Sequence, residues 1–265
     1  VMTLSGLEPQ IAEMLDFAQT TVTQARAVAL KWFRQAPEII TKADESPVTI
    51  ADRSVEQFLR DAILQRYPEH GMLGEEFGLS HLDAQYLWSI DPIDGTRSFI
   101  SGNPLWGCLV ALLRDGVPVF GIVDIPFTGE RWVGAQGQGC QYRGGACHTR
   151  QTDRLQDAIL YATSPDIFTG DEARVFDALT RAVYLRRFGG DCYSYALLAS
   201  GHVDLVVEAG LQPYDYLALR PVIEEAGGVI TDWAGQPVTM HSDGRVIAAA
   251  NPALHRAVLD IVAAR

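Results

Sequence analysis

Trp88-Ser89-Ile90-Asp91-Pro92-Ile93-Asp94-Gly95-Thr96 is the stretch on which the reading of this chain turns. A short apolar strand ends abruptly in an acidic turn that Pro92 stiffens, and Gly95 frees the backbone beyond it. Two carboxylates three residues apart on a turn can point into one space. Like charges that close raise one another's pKa unless a cation sits between them. Hard oxygen donors of this kind suit Mg²⁺, which takes carboxylates, waters and phosphate oxygens in preference to an all-protein cage. The Gly95 and Thr96 N–H groups then offer a cradle for phosphate oxygens if a helix opens there.

An acidic turn alone is more often a solvated loop than a metal site, so the rest of the chain decides. Met72-Leu73-Gly74-Glu75-Glu76 puts adjacent carboxylates after an apolar pair and a glycine. Taken alone, that is equally a surface charge pair. Gln212-Pro213-Tyr214-Asp215 places an acid at the start of an apolar helix running into Glu224-Glu225-Ala226-Gly227-Gly228. Capping that helix is the simpler role for Asp215, and capping and metal binding are compatible.

Ser5 to Glu8 has capping-box spacing and predicts a helix with Leu7, Ile11, Leu15, Ala18, Val22 and Ala25 on one stripe. A polar loop follows at Lys42 to Pro47, and Thr49 to Asp52 begins a second helix with Val55, Phe58, Leu59 and Ile63 inward. From Tyr86 to about Gly144, β-branched and aromatic runs alternate with turns at Asp115-Gly116, Thr128-Gly129 and Gly144-Gly145, the rhythm of an antiparallel meander. Beyond residue 150 strands are expected at Ile159–Thr163, Tyr184–Phe188, Leu205–Glu208, Val229–Thr231 and Val246–Ala250. Helices are expected near Asp171–Thr180, Tyr193–Ser200, Tyr216–Ala226 and Pro252–Ala264. The reading is α/β, or α+β, in two halves packed into one layered body. Residues 1–145 hold an antiparallel or mixed sheet and most of the candidate ligands; residues 146–265 hold a more parallel sheet and the substrate-recognition residues.

The 265 residues carry a net charge of −12, which argues against a nucleic-acid footprint. The same charge means that an anionic substrate needs bound cations to reverse the local sign. No run approaches the ~20 apolar residues of a membrane span, and Val1-Met2-Thr3-Leu4 lacks the basic-then-apolar pattern of a secretory signal. Cys108, Cys140, Cys147 and Cys192 show no zinc-site spacing and read as buried thiols, so a cytoplasmic location is expected.

In order and spacing, D-P-I-D-G-T after a strand, the upstream G-E-E and the downstream Y-D…E-A-G-G resemble the inositol monophosphatase superfamily of magnesium-dependent, lithium-sensitive sugar phosphatases. The resemblance spans nearly the whole chain and implies a layered αβαβα sandwich, two or three Mg²⁺ ions per site and a homodimer acting on a small phosphorylated metabolite. It implies that Glu75, Asp91 and the Ile93 carbonyl hold one metal, and that Asp91, Asp94 and Asp215 hold a second. Glu76 and Asp52 would hold waters around a third. Asp52 and Thr96 would orient and deprotonate the attacking water, with Glu75 also catalytic and Gly95 and Thr96 against the phosphate. Paired cations neutralise phosphoryl oxygens and acidify water, so no phosphoenzyme is required.

Phe188-Gly189-Gly190-Asp191-Cys192-Tyr193 and the run Val206-Val207-Glu208-Ala209-Gly210-Leu211 look closest to the superfamily's histidinol-phosphate phosphatase branch, which acts in histidine biosynthesis. Asp191 and Leu217 stand where inositol-type members carry smaller or neutral residues. Histidinol phosphate has an α-ammonium and an imidazole, to which Asp191 and Glu208 would be complementary. Capping the Tyr193–Ser200 helix is the plain alternative for Asp191, and an exposed strand end the plain alternative for Glu208. Inositol monophosphatase, or a broad sugar-phosphate phosphatase, is the second reading of the whole. A haloacid-dehalogenase-type phosphatase is disfavoured because two residues, not one, separate Asp91 from Asp94. A non-catalytic phosphate binder would be expected to have lost one of these acids.

Overall fold

The computed structural model describes residues 6–35 and 47–264. Eight strands form the first sheet: β1 (Gly71–Gly74), β2 (Gly78–Ser80), β3 (Tyr86–Asp94), β4 (Gly107–Arg114), β5 (Val117–Ile125), β6 (Glu130–Ala135), β7 (Gly139–Tyr142) and β8 (Gly145–Cys147), in the order β2-β1-β3-β4-β5-β6-β7-β8. Five form the second: β9 (Ile159–Ala162), β10 (Leu185–Phe188), β11 (Leu205–Glu208), β12 (Val229–Asp232) and β13 (Val246–Ala249), in the order β10-β9-β11-β13-β12. The helices are α1 (Pro9–Leu30), α2 (Pro47–Arg66), α3 (Thr96–Ser101), α4 (Asp171–Ala182), α5 (Asp191–Ala199), α6 (Pro213–Tyr216), α7 (Leu219–Glu225) and α8 (Pro252–Ala263).

The central strands of both sheets are buried on both faces, and the two-residue alternation of each sorts its side chains between cores. Leu109, Ala111 and Leu113 of β4 face a central layer with α5, α7 and the second sheet. Cys108, Val110 and Leu112 of the same strand face α1 and α2. In β11, Val206 joins the central layer, while Leu205 and Val207 meet α4 and α8. The stacking is therefore αβαβα, as the resemblance implied. Helices α5 and α7 come late in the chain yet pack on the early sheet, so the halves share one core. Gly121 and Gly134 make this possible: a Cβ on either would collide with the backbone of Ala218 or Pro221.

Local expectations held better than boundaries. Helix α1 opens at Pro9 with Glu8 before it, and the expected Ser5 lies outside the described residues; Pro is well suited to a first helical turn. Lys42 to Ser46 also lie outside them. The last hairpin turns on Arg143 and Gly144, both at positive φ, with Tyr142 opposite Gly145. The helix expected over Tyr216–Ala226 is two helices, α6 and α7. Strands β1 and β2 were not foreseen, and β1 runs parallel to β3, so the first sheet is mixed. The expected parallel character of the second sheet is met by β10, β9 and β11, while β13 is antiparallel to both its neighbours. No described helix is long and apolar enough to cross a membrane.

Candidate metal centre

Strand pairing assembles the acids. Asp91 pairs with Leu109 and Asp94 with Gly107, so three steps along β3 match two along β4. That extra residue is a β-bulge across Pro92-Ile93, where Pro92 has no N–H for the ladder. In a regular strand residues 91 and 94 would point to opposite faces. The bulge brings them to one side. Beside them, the parallel register Gly74↔Ile90 sets the next residues, Glu75 and Asp91, at the same level of the sheet. Asp215 arrives from α6, where its Oδ2 accepts the Gln212 N–H at 2.7 Å. It sits at the third position of that helix and reaches back to the cap, so the capping role and the site role coexist. Ligand oxygens of Asp91, Asp94 and Asp215 lie within 4.8 Å of one another.

Electrostatics mark the cluster as short of positive charge. Asp91 and Asp94 are held well above the ordinary carboxyl range, first by burial, then by each other's neighbours: Asp94, Asp215 and Glu75 act on Asp91, and Asp191 and Asp215 on Asp94. Asp52 is pushed up to about 8 by burial and by Glu75, Glu76 and Glu56. Glu75, on the open side, is pushed to about 7 by partial burial, Asp215 and Glu76, and Asp215 to about 6 by burial. Asp91 Oδ1 and Asp52 Oδ1 are buried and meet no protein donor. An unsatisfied buried acceptor costs about 1–3 kcal/mol, and more when charged. All-oxygen donors with orphaned lone pairs fit a hard divalent cation.

In the unfolded chain the same carboxyls titrate near pH ~4. Between there and about pH 8 the folded, metal-free protein binds more protons than the unfolded chain, so its stability falls as pH rises. The thermal midpoint in chelator is expected to drop from about pH 5 to about pH 8.5, and a saturating divalent cation to flatten the slope. A midpoint in chelator that ignores pH would contradict the proton uptake.

Gly95, at φ 89°, caps α3, and Thr96 opens it with its hydroxyl 3.5 Å from the Ile93 carbonyl. A Cβ on Gly95 would stand 3.0 Å from Asp191 Oδ2. Asp191 does not cap α5. Gly190 holds that position, and Asp191 begins the helix at φ 42°, a strained setting for a residue with a side chain. Its carboxylate accepts the Ser98 hydroxyl at 3.0 Å and lies 3.5 Å from Thr163 Oγ1. The next residue, Cys192, donates its N–H to Asp94 Oδ2 at 2.6 Å, so the start of α5 joins the acidic cluster directly.

Glu208 is no exposed strand end. It is 2% exposed, and its Oε1 takes the Thr163 N–H at 2.6 Å and the Thr163 hydroxyl at 3.0 Å. Its Oε2 meets no donor, and burial, with Asp191 and Asp215 beyond, pushes its pKa to about 8. Thr163 and Ser98 were missed because single hydroxyls at a strand end and in a short helix carry no spacing signal. Leu217 is fully buried in the central layer, where its bulk fills the core. Glu76 lies near enough to Asp52 to raise its pKa.

The sequence profile of the inositol monophosphatase family matches residues 10–264. The chain is 43% identical over 242 residues to the chloroplastic bifunctional phosphatase IMPL2 of Arabidopsis thaliana, covering 88% of this chain and 70% of that protein. It is 39% identical to a histidinol-phosphatase of Mycobacterium tuberculosis, covering 83% and 86%. The solved structure of an inositol monophosphatase from Zymomonas mobilis superposes with a TM-score of 0.90 at 41% identity, covering 97% of this chain and 100% of that one. With carboxylates gathered from the end of β3 and from α6 as described, the chain belongs to the inositol monophosphatase family and is a metal-dependent phosphatase of small phosphorylated substrates.

Proposed function

We propose that the chain hydrolyses histidinol phosphate to histidinol and phosphate with Mg²⁺ as its cation. In this reading Glu75, Asp91, Asp94, Asp215 and the Ile93 carbonyl hold two ions, and Asp52 and Glu76 support a third through water. Bound there, the cations supply positive charge to the phosphoryl oxygens and lower the pKa of water in the site. The chain's own groups do the rest. The Gly95 and Thr96 N–H groups at the start of α3 face the phosphoryl oxygens. Thr96 and Asp52 orient the attacking water, and the buried, unpartnered Oδ1 of Asp52 takes its proton. Water attacks phosphorus in line as it gives one proton to Asp52, the ester P–O bond breaks, and the leaving oxygen takes one proton from solvent to depart as the alcohol while Asp52 returns its own to solvent.

The observation that carries the substrate assignment is the second acidic group. Asp191 and Glu208 both meet Thr163, on elements distinct from those that carry Asp91 and Glu75, with Glu208 Oε2 left unsatisfied. A leaving group bearing an ammonium and an imidazole would satisfy those oxygens; a neutral polyol would pair with them less completely. The relative that is a histidinol-phosphatase supports this reading. The Zymomonas mobilis structure supports inositol phosphate as the second one.

Phosphate release from histidinol phosphate and inositol 1-phosphate, side by side, tests it. Histidinol phosphate is expected to be preferred by at least about tenfold in kcat/KM, with both activities lost in chelator. Preference for inositol 1-phosphate would keep the metal site and overturn the role given to Asp191 and Glu208.

A further inference from the structure

The proposed chemistry leaves one buried charged pair without a use. Glu56 and Arg60 follow Asp52 at steps of four along α2, so the three side chains form one stripe. Glu56 is 0% exposed, and its Oε1 takes Arg60 Nε at 2.7 Å. Its remaining acceptor capacity does not go to its own helix. Glu56 Oε2 accepts the Glu76 N–H at 2.7 Å, and Oε1 accepts the Phe77 N–H at 3.2 Å. Arg60 Nη2 donates to the Gly78 carbonyl on the far side of the same turn.

We infer that Glu56, braced by Arg60, is a positioning residue for the metal centre: it clamps the turn between β1 and β2 and so fixes where Glu75 and Glu76 stand. The inference rests on the assignment of Glu75 to the metal centre. Gly74 pairs with Gly78, leaving Glu75, Glu76 and Phe77 to form the turn. Glu75 there faces Asp52, Asp91 and Asp215, Glu76 lies against Asp52 and Glu75, and mutual repulsion drives such a turn outward. The clamp opposes that movement by gripping backbone, the acid taking N–H groups on one arm and the guanidinium a carbonyl on the other. Gly74 is bare for this purpose. A Cβ there would overlap Glu56 Oε1 and lie 2.9 Å from Arg60 Nη2. Because Asp52 rides on the same stripe of α2, one helix sets both Asp52 and the Glu75–Glu76 turn.

The test is Glu56→Gln, with Arg60→Lys as a milder second variant should the first fail to fold. Glutamine keeps the shape but turns an NH₂ toward one of the two backbone donors. Mn²⁺ binding to the metal-free protein, followed by the electron spin resonance of free Mn²⁺, is expected to weaken about tenfold or more in Glu56→Gln, and less in Arg60→Lys. The Mg²⁺ midpoint for phosphate release should rise by the same factor, while kcat at saturating Mg²⁺ stays within about threefold. A lower thermal midpoint with unchanged Mn²⁺ affinity would make the pair purely structural and overturn the inference. Asp94→Asn, titrated beside it, separates the two failures. If Asp94→Asn weakens Mn²⁺ binding and Glu56→Gln does not, the clamp alone is wrong. If neither does, the metal assignment falls and the clamp with it.

Discussion

Asp94→Asn is expected to cut phosphate release by roughly 10²–10³-fold while the protein folds as before, the scale seen when one preorganised charge-stabilising group is removed. Asparagine is nearly isosteric, and its amide oxygen can still accept the Cys192 N–H that Asp94 Oδ2 now takes at 2.6 Å. What disappears is one negative charge from a cluster whose oxygens lie within 4.8 Å of one another. Without cations that charge is a burden: Asp94 is held well above its ordinary pKa by burial, Asp191 and Asp215. The thermal midpoint in chelator should therefore rise in the variant, while the gain on adding Mg²⁺ shrinks. Activity and metal-free stability move in opposite directions, which misfolding cannot imitate. Full activity at ordinary Mg²⁺, or a lower midpoint in chelator, would sink the ligand role of Asp94.

That pair of aspartates shows what a sequence can and cannot carry. The strand, the proline and the glycine around Asp91 and Asp94 are local features, and each does locally what its chemistry dictates. Their convergence on one side depends on a bulge opposite Leu109 and Gly107, which only the partner strand reveals. The same holds for Glu75. Its strand is four residues of Gly-Met-Leu-Gly, too short and too glycine-rich to announce itself, and it matters because it lies parallel to β3. Asp215 was legible as an acid at a helix start, but not the break between α6 and α7 that follows it. The second acidic group was half legible: Asp191 and Glu208 came from the family resemblance, whereas Thr163, which lies between them, is one hydroxyl among many. Layering was read from local periodicity and resemblance, while shared burial by α5 and α7 across both sheets is a long-range property.

Removing charge from the second acidic group should separate substrate recognition from catalysis. Glu208→Gln is expected to lower kcat/KM for histidinol phosphate by roughly 30-fold or more, since breaking one partner of a buried charge pair costs about 2–5 kcal/mol. Glutamine can still accept the Thr163 N–H through its amide oxygen, so the loss falls on the unsatisfied Oε2 and not on the fold. Asp191→Asn should act in the same direction but less cleanly. It relieves repulsion on Asp94 and weakens the hold on Ser98, which adds a shift in the Mg²⁺ midpoint that Glu208→Gln lacks. An uncharged ester such as glycerol phosphate provides the contrast. Its leaving group gains nothing from a buried negative charge and loses nothing when that charge is removed, so its kcat/KM should change by no more than about threefold in Glu208→Gln. Removing negative charge from a site that must accept a dianion tends, if anything, to favour it. Equal losses for the cationic and uncharged esters would mean that Glu208 supports the site's architecture and does not read the leaving group. Loss confined to histidinol phosphate would place recognition on β11 and leave the chemistry with the ends of β1 and β3.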